Sequence, residues 1–332
     1  MIVHDVEDLY WYSKDKPVQH LFFRGFSSNI YVIDQGDELW QIDAGTSPIG
    51  RPNRLFKWMK EDGINPDILS KIFLTHSHLD HVSGLNFFCN IENLPIKPIL
   101  YCHKQARESL EGALSVTMTE NREIAEDSGY PGLVKVPLWL VEFGAKYAMG
   151  KMPEVTPDQT LEDGEIIKGQ RYNLETIHTP GHTRGHCCYY IPSIKALYVG
   201  DLIDPECDCK PPLNLPNADY DEFKNSIKKL LDYEIEYFCM PHAKRIYRGI
   251  EKNHELIELA LGNLELAEEV TIDLLKKNST AGLRIKDFRG KFPKRIWNEV
   301  NEQYAVGFSI IKSLMKRGKI RKEGIRFFYV EY

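Results

Sequence analysis

Alternating apolar and polar positions indicate β-structure near the start of the chain. Residues 29–33 and 38–42 form two such runs around the turn-forming stretch 34–37, which predicts a hairpin. Residues 51–61 carry apolar side chains at helical spacing, and residues 71–74 form a short apolar strand that leads directly into a group of histidines. The pattern places these histidines at a strand end, where layered α/β folds usually build ligand sites.

Helical spacing replaces the strand pattern over residues 103–153. We predict helices at 106–116, 118–127 and 138–149. The block contains aromatic and methionine side chains that could line a substrate pocket. At helical spacing such side chains are more often core, and this is the interpretation we prefer. They are Tyr130, Trp139, Phe143, Tyr147, Met149 and Met152.

The strand pattern returns after residue 160 and ends near residue 240. The predicted strands are 165–167, 172–177, 187–191, 196–199 and 236–240, with a helix at 220–231 before the last strand. A long helix at about 253–277, a helix at 308–317 and a hairpin within 319–329 are predicted to follow.

Length and charge favour two domains. A chain of 332 residues with 42% hydrophobic residues predicts a large domain and a smaller one, which we place at 1–250, with the helical insertion at about 103–153, and at 251–332. Residues 281–332 hold 13 Lys and Arg against 5 Asp and Glu, giving +8, whereas the remainder holds 29 against 43, giving −14. An acidic body thus precedes a basic tail.

Cysteine usage and hydropathy predict a soluble cytoplasmic protein with no membrane association. The seven cysteines are odd in number and scattered, which argues against a disulfide framework. Cys207 and Cys209 lack a second pair at zinc-site spacing, so we do not interpret them as metal ligands. The chain shows neither a basic start followed by an apolar stretch nor a run of 18 apolar residues.

Five of the eleven histidines fall in three loops, each of which follows an apolar strand. Imidazole is the commonest neutral ligand of zinc-like ions, and His76 and His78 would point to one side of an extended segment. Where the chain turns after His78, the next polar residues can face a second ion. The predicted ligands of the first ion are His76, His78 and His182, and those of the second are Asp80, His81 and His242.

Two close cations repel unless a negative ligand lies between them. Asp201 stands at the end of the apolar strand 196–199 and fits this bridging role. Positions left open for water indicate a catalytic rather than a structural site. We expect two divalent cations, with zinc preferred, although iron and manganese accept the same ligands.

The remaining histidines receive a plainer interpretation. An isolated histidine in a loop is usually solvated, so His4, His20, His103 and His254 carry no functional prediction. Three histidines and an aspartate within six residues are different, because gathering these polar groups is costly unless they bind something. His178 and His186 are more readily structural, or residues that orient ligands by hydrogen bonds.

The ordered motifs resemble those of the metallo-β-lactamase-fold superfamily. They are Thr-His-Ser-His-Leu-Asp-His at 75–81, Thr-Pro-Gly-His-Thr-Arg-Gly-His at 179–186, Gly-Asp at 200–201 and Pro-His at 241–242. Asp43-Ala44-Gly45 matches the structural turn near the start of such proteins. The resemblance covers about residues 20–245 and implies an αββα sandwich with a dinuclear site at one edge.

The predicted site implies hydrolysis. Two ions roughly 3.5–4 Å apart would hold a bridging hydroxide that attacks the substrate, while the same ions polarise the oxygen under attack. Asp80 is the predicted catalytic residue, orienting or accepting the proton as the leaving group departs, although ligation lowers its basicity.

The superfamily includes thioesterases, lactonases, phosphodiesterases, nucleases and redox enzymes, so the fold alone leaves the substrate open. His78 stands where diiron flavoproteins of this fold carry glutamate, which argues against oxygen reduction. The stretch 202–207 departs from the glycine-rich pattern of glyoxalase II, which argues against glutathione thioesters. The leading hypothesis is a hydrolase of a small ester, thioester or lactone.

The tail resembles the small winged-helix tail of β-lactamase-like hydrolases, some of which cleave RNA. One alternative function is therefore an RNA or phosphodiester hydrolase that holds its substrate through residues 281–332. Another is a nucleic-acid-binding regulator with a metal-sensing domain. Because the basic residues are dispersed, we favour a tail that packs on the catalytic domain or on a second subunit, which is compatible with a homo-oligomer.

Overall fold

The computed structural model describes residues 9–12, 28–47, 55–89, 94–111, 114–129, 137–148, 150–153, 155–205, 208–213 and 215–330. Two six-stranded sheets form its centre. In the first sheet the spatial order follows the chain; its first three strands are antiparallel, and β3 to β6 run parallel. Its strands are β1 (Leu9–Tyr12), β2 (Ile30–Asp34), β3 (Leu39–Ile42), β4 (Leu69–Phe73), β5 (Ile99–His103) and β6 (Gln159–Leu161).

The second sheet is mainly antiparallel, with one parallel pair, β10 and β11, near its far edge. Its strands, again in chain order across the sheet, are β7 (Ile166–Ile167), β8 (Leu174–His178), β9 (Cys187–Ile191), β10 (Ala196–Tyr198), β11 (Tyr237–Cys239) and β12 (Tyr247–Arg248). The predicted strands are present with shifted ends. Sequence patterning assigned no strand to β1, β5, β6 or β12.

The two sheets pack face to face through an apolar core. Tyr31 and Ile33 of β2 belong to this core, while Val32 between them belongs to the core on the opposite face. This is the alternation expected of a strand that is buried on both sides. Across the interface the ring centroids of Phe73 and Tyr189 lie 5.5 Å apart.

Helices cover the outer face of each sheet, giving four layers. The first sheet is covered by α1 (Leu55–Glu61), α2 (Leu79–Val82), α3 (Leu85–Phe88) and α4 (Arg107–Glu111). The second is covered by α7 (Tyr220–Lys229), α8 (Ile250–Lys277) and α9 (Val300–Lys316). In the described residues no helix is both long and apolar enough to cross a membrane.

The insertion continues from α4 into α5 (Leu114–Ser128) and α6 (Leu138–Ala148). Trp139, Phe143 and Tyr147 are 67%, 64% and 60% exposed, so their interpretation as core is wrong. Spaced four residues apart, they form one stripe along the outward side of α6. Met152 packs partly buried against the helices of the first sheet, and Tyr130 and Met149 lie outside the described residues.

The C-terminal segment packs directly on the second sheet. After α8 come a 3-10 helix (Ile285–Phe288), α9 and the hairpin of β13 (Ile320–Glu323) and β14 (Arg326–Tyr329). Side chains of α8, α9 and the hairpin share one apolar cluster with those of β8 to β11 and α7. This core includes residues on both sides of position 250. A domain boundary near residue 250 therefore stays a prediction.

Charged side chains also tie the tail to the body. Lys316 of α9 contacts Asp219 at 2.5 Å, and Lys322 pairs with Asp127 of the insertion. Lys312 donates to the carbonyl oxygens of Pro216 and Ala218. Part of the positive charge of the tail is therefore paired with acidic side chains of the preceding part of the chain.

Candidate active site

Four strand ends deliver the predicted site residues to one edge of the sandwich. The first motif lies in the loop 74–78, which follows β4, and in α2, which begins at Leu79. The loops after β8, β10 and β11 carry His182, Asp201 and His242. Two groups of potential metal ligands result, and within each group the ligand atoms lie within 4.8 Å of one another. The first group is His76, His78, His182 and Asp201, and the second is Asp80, His81 and His242.

Asp201 belongs to the first group but lies between its three histidines and the second group, and it offers one oxygen to each side. Its Oδ2 lies 3.4 Å from Nε2 of His182 and 3.8 Å from Nε2 of His76. Its Oδ1 lies 3.3 Å from Nε2 of His81 and 3.2 Å from Nε2 of His242. Asp80 completes the second side, with Oδ2 at 3.6 Å from Nε2 of His242. A carboxylate in this position can neutralise charge on both sides.

Asp43 fixes the orientation of His81. Its Oδ2 accepts from Nδ1 of His81 at 2.8 Å, while Oδ1 accepts the backbone N–H of Thr75 at 2.8 Å. Because a carboxylate only accepts, Nδ1 of His81 carries a proton, and Nε2 is the ring nitrogen that faces Asp201. Asp43 adopts φ 57°, a left-handed conformation that aspartate tolerates better than most residues.

A backbone carbonyl plays the same part for His182. The oxygen of Pro212 lies 2.6 Å from its Nδ1, so Nδ1 donates and Nε2 is left to face the site. Nε2 of His182 in turn lies 2.8 Å from Nδ1 of His78. These contacts give the imidazoles the orientation that cation ligands need.

His186 supports Asp201 from behind. Its Nε2 accepts the backbone N–H of Asp201 at 2.9 Å, and its Nδ1 contacts Thr179. This approach requires Gly200, because a Cβ there would lie 2.4 Å from Nε2 of His186, and Gly200 also has φ +57°. His186 is thus an orienting residue in this geometry.

Burial lowers the pKa of some histidines of the site, whereas nearby carboxylates raise the pKa of His81. Burial lowers the pKa of His76 and His78 well below the ordinary value, and neighbouring histidines add to this effect. Burial also opposes the charged form of His81, yet Asp201, Asp43 and Asp80 together raise its pKa well above the ordinary value. Although burial opposes its ionisation, the pKa of Asp201 is lowered well below the usual range by His242 and His81. The site is thus built to hold positive charge next to a carboxylate.

The donor set fits divalent cations. Nε2 of His76, Nε2 of His81 and Oδ1 of Asp201 are buried and, within the described part of the chain, have no aligned hydrogen-bond partner. Leaving such atoms buried and unpaired is costly. Cations bound by imidazole and carboxylate would satisfy all three at once.

The structure brings all seven predicted ligands together and leaves His178 outside. His178 stacks on His103, with ring centroids 3.8 Å apart. Sequence reasoning missed that His103 is buried, and it assigned no role to Thr75 or to the carbonyl of Pro212. A backbone carbonyl has no sequence signature, so Pro212 could not have been found from residue types. Besides Tyr130 and Met149, the residues considered above that lie outside the described ranges are His4, His20 and Cys207.

Comparison with known proteins agrees with this fold and site. Residues 23–242 match the model of the metallo-beta-lactamase superfamily. The chain therefore belongs to this superfamily, and the resemblance of its motifs is confirmed. The family and the His/Asp cluster together support a metal-dependent hydrolase.

Individual relatives are distant. The chain is 23% identical to acyl-coenzyme A thioesterase MBLAC2 of Gallus gallus, over 82% of this chain and 92% of that protein. It is 30% identical to a hydroxyacylglutathione hydrolase of Mesorhizobium japonicum, over 48% of this chain and 55% of that protein. A metallo-beta-lactamase family protein of Thermus thermophilus superposes with a TM-score of 0.73 at 20% identity, covering 98% of this chain and 99% of the other. That superposition extends the shared fold through the C-terminal segment.

Proposed function

We propose that the protein is a hydrolase that binds two divalent cations, zinc in preference to iron or manganese. The observation that carries this proposal is Asp201, whose two oxygens face two separate groups of ligand atoms. His76, His78 and His182 would hold one cation, and Asp80, His81 and His242 the other. Asp201 would contact both.

Cations in this site would supply Lewis acidity and lower the pKa of a bound water, so that a nucleophile forms near neutral pH. The chain itself orients the groups around them. Asp43 and the carbonyl of Pro212 hold Nδ1 of His81 and His182, so that each Nε2 faces the site and, once deprotonated, could bind a cation. The side chain of Asp80 is 20% exposed, and we propose that it orients the attacking water or accepts its proton, which then passes to the departing leaving group.

We propose acyl esters as the substrates, with thioesters first among them and lactones as a related class. MBLAC2 is named as an acyl-coenzyme A thioesterase and aligns over 92% of its length, which supports this choice. The second relative is named as a hydroxyacylglutathione hydrolase but aligns over only 55% of its length. Support for an acyl thioester is thus stronger than support for any particular thiol carrier.

The position of the helical insertion supports a substrate with an apolar acyl group. Gly150, just after α6, fits against the carbonyl of Ser47, where a Cβ would lie 2.4 Å away. The backbone N–H of Ser47 in turn donates a hydrogen bond of 3.0 Å to Oγ of Ser83, two residues after His81. The C-terminal end of α6, which carries Tyr147, is therefore the end of the exposed stripe nearest these contacts, and we propose that Tyr147 and Phe143 contact the acyl chain.

Phosphodiester hydrolysis is the second candidate. It is favoured by five exposed basic residues within ten positions of the tail, which are Lys286, Arg289, Lys291, Lys294 and Arg295. Lys and Arg at such spacing can neutralise several phosphates. We also propose that this segment, α9 and the hairpin form a winged-helix-like unit.

The test is turnover by zinc-loaded protein of acyl thioesters, carboxylic esters, lactones and single-stranded RNA. We expect thioester or ester cleavage that is abolished in Asp201→Ala and retained in Asp163→Asn, a carboxylate variant outside the site. Cleavage of RNA alone would instead support the phosphodiester function. Binding of nucleic acid without any turnover would support a regulator.

A further inference from the structure

The connection between Asp201 and α7, residues 202–218, carries the carbonyl that orients His182. Pro212 lies in the middle of this segment, and its oxygen is 2.6 Å from Nδ1 of His182. A shift of this carbonyl would release Nδ1 and let the imidazole rotate. The position of the segment therefore matters for the presentation of Nε2.

Backbone hydrogen bonds close a turn in which Asp204 and Lys210 each donate an N–H to the carbonyl of the other, but the two prolines that follow this turn add few such bonds. Pro211 and Pro212 have no N–H to donate. Asp208 and Cys209 adopt φ 49° and 55°, two successive non-glycine residues in the left-handed region. Such conformations persist only where surrounding contacts impose them.

The C-terminal helices supply those contacts. Asn263 of α8 donates to the carbonyl of Asp208 at 2.7 Å, which is the first of the two left-handed residues. Glu302, in the first turn of α9, contacts Nζ of Lys210 at 2.7 Å. Lys210 is a buried lysine that also lies 3.5 Å from Asp204. Lys312 fixes the far end through the carbonyls of Pro216 and Ala218, at 2.5 Å and 2.7 Å.

We propose that Glu302 and Asn263 are positioning residues for the metal site, acting through the Asp204–Lys210 turn and the Pro212 carbonyl on His182. The tail would then be a part of the active-site scaffold. This inference rests on the proposed function, since it assumes that His182 binds a cation. It assigns the tail a role that does not require nucleic acid.

The experiment compares zinc affinity by chelator competition, and the absorption spectrum of the cobalt-substituted protein, in full-length variants. We expect Glu302→Ala and Asn263→Ala each to lose up to about tenfold in affinity, the low end of the loss for a direct hydrogen-bond partner of a metal ligand, because both act through intervening residues. The cobalt spectrum should change as well, because the ligand field depends on the orientation of His182. Glu302→Gln keeps an acceptor oxygen for Lys210 and should recover most of the affinity.

Arg317→Met is the matched control. It removes the ion pairs of Arg317 with Glu268 at 2.8 Å and with Asp221 at 3.7 Å, at the C-terminal end of α9, and neither partner belongs to the described part of residues 202–218. We expect its thermal stability to fall while its zinc affinity and cobalt spectrum stay those of the wild type. If Glu302→Ala and Asn263→Ala behave like this control, the inference is overturned while the proposed function stands. A wild-type protein that binds no zinc overturns both.

Discussion

Replacement of Asp43 by asparagine tests whether buried hydrogen bonds set the metal affinity of the site. Asparagine has nearly the same size as aspartate and tolerates the left-handed φ of 57° at this position, so the backbone conformation should not change. The amide keeps one oxygen for the N–H of Thr75 but places an NH₂ where Oδ2 now accepts from Nδ1 of His81 at 2.8 Å. Two donors would then face each other, and the charge-assisted bond is lost.

A hydrogen bond to a charged group contributes roughly 1.5–3 kcal/mol. At about 1.4 kcal/mol per factor of ten, this predicts a loss of about 10- to 100-fold in zinc affinity. The assay is chelator competition at pH 7, with Asp163→Asn as the control. Asp163 accepts the N–H of His178 at 2.7 Å, away from the site, so its replacement should leave zinc affinity unchanged. An affinity loss below twofold in folded Asp43→Asn would refute the reasoning.

Three further predictions concern packing, substrate and pH. Gly84→Ala should cost about 1–3 kcal/mol in urea unfolding, because its Cβ would lie 1.9 Å from the carbonyl oxygen of Ala44; an unchanged midpoint would contradict the close packing. Phe143→Ala with Tyr147→Ala should raise KM for long acyl chains several-fold and leave both the short-chain KM and the melting temperature unchanged; equal effects on both chain lengths would exclude an acyl contact. The pKa of His103 is lowered from 6.5 to about 4 by burial and by His178, so the unfolded chain takes up the proton first and wild-type stability should fall as the pH drops between these values. Relative to His103→Phe, we expect a loss of about 1 kcal/mol per pH unit in that window, measured by urea unfolding, and parallel pH profiles would disprove the shift.

The sequence was informative where chemistry and strand ends coincide. Because each motif follows an apolar run, its side chains could be assigned to one edge before any coordinates were known. His186 could likewise be assigned an orienting role, and its contact with the N–H of Asp201 agrees with that prediction.

Sequence patterns gave wrong predictions, or none, where tertiary contacts determine whether a residue is buried or which residue it contacts. The stripe of Trp139, Phe143 and Tyr147 has the spacing of a core face, and only the placement of α6 at the surface leaves it exposed. The Glu302 to Lys210 pair joins positions 92 residues apart, and no local pattern reports such a contact. The strands β6 and β12 contain only three and two residues, so their membership of a sheet depends on neighbouring strands rather than on their own residues.

The central claim is that one carboxylate, Asp201, separates two bound cations. Anomalous diffraction from crystals of the zinc-loaded protein, collected on both sides of the zinc edge, tests it most directly. We predict two zinc peaks flanking Asp201, one contacted by His76, His78 and His182 and the other by Asp80, His81 and His242. A single peak, or peaks that Asp201 does not contact, would contradict the account.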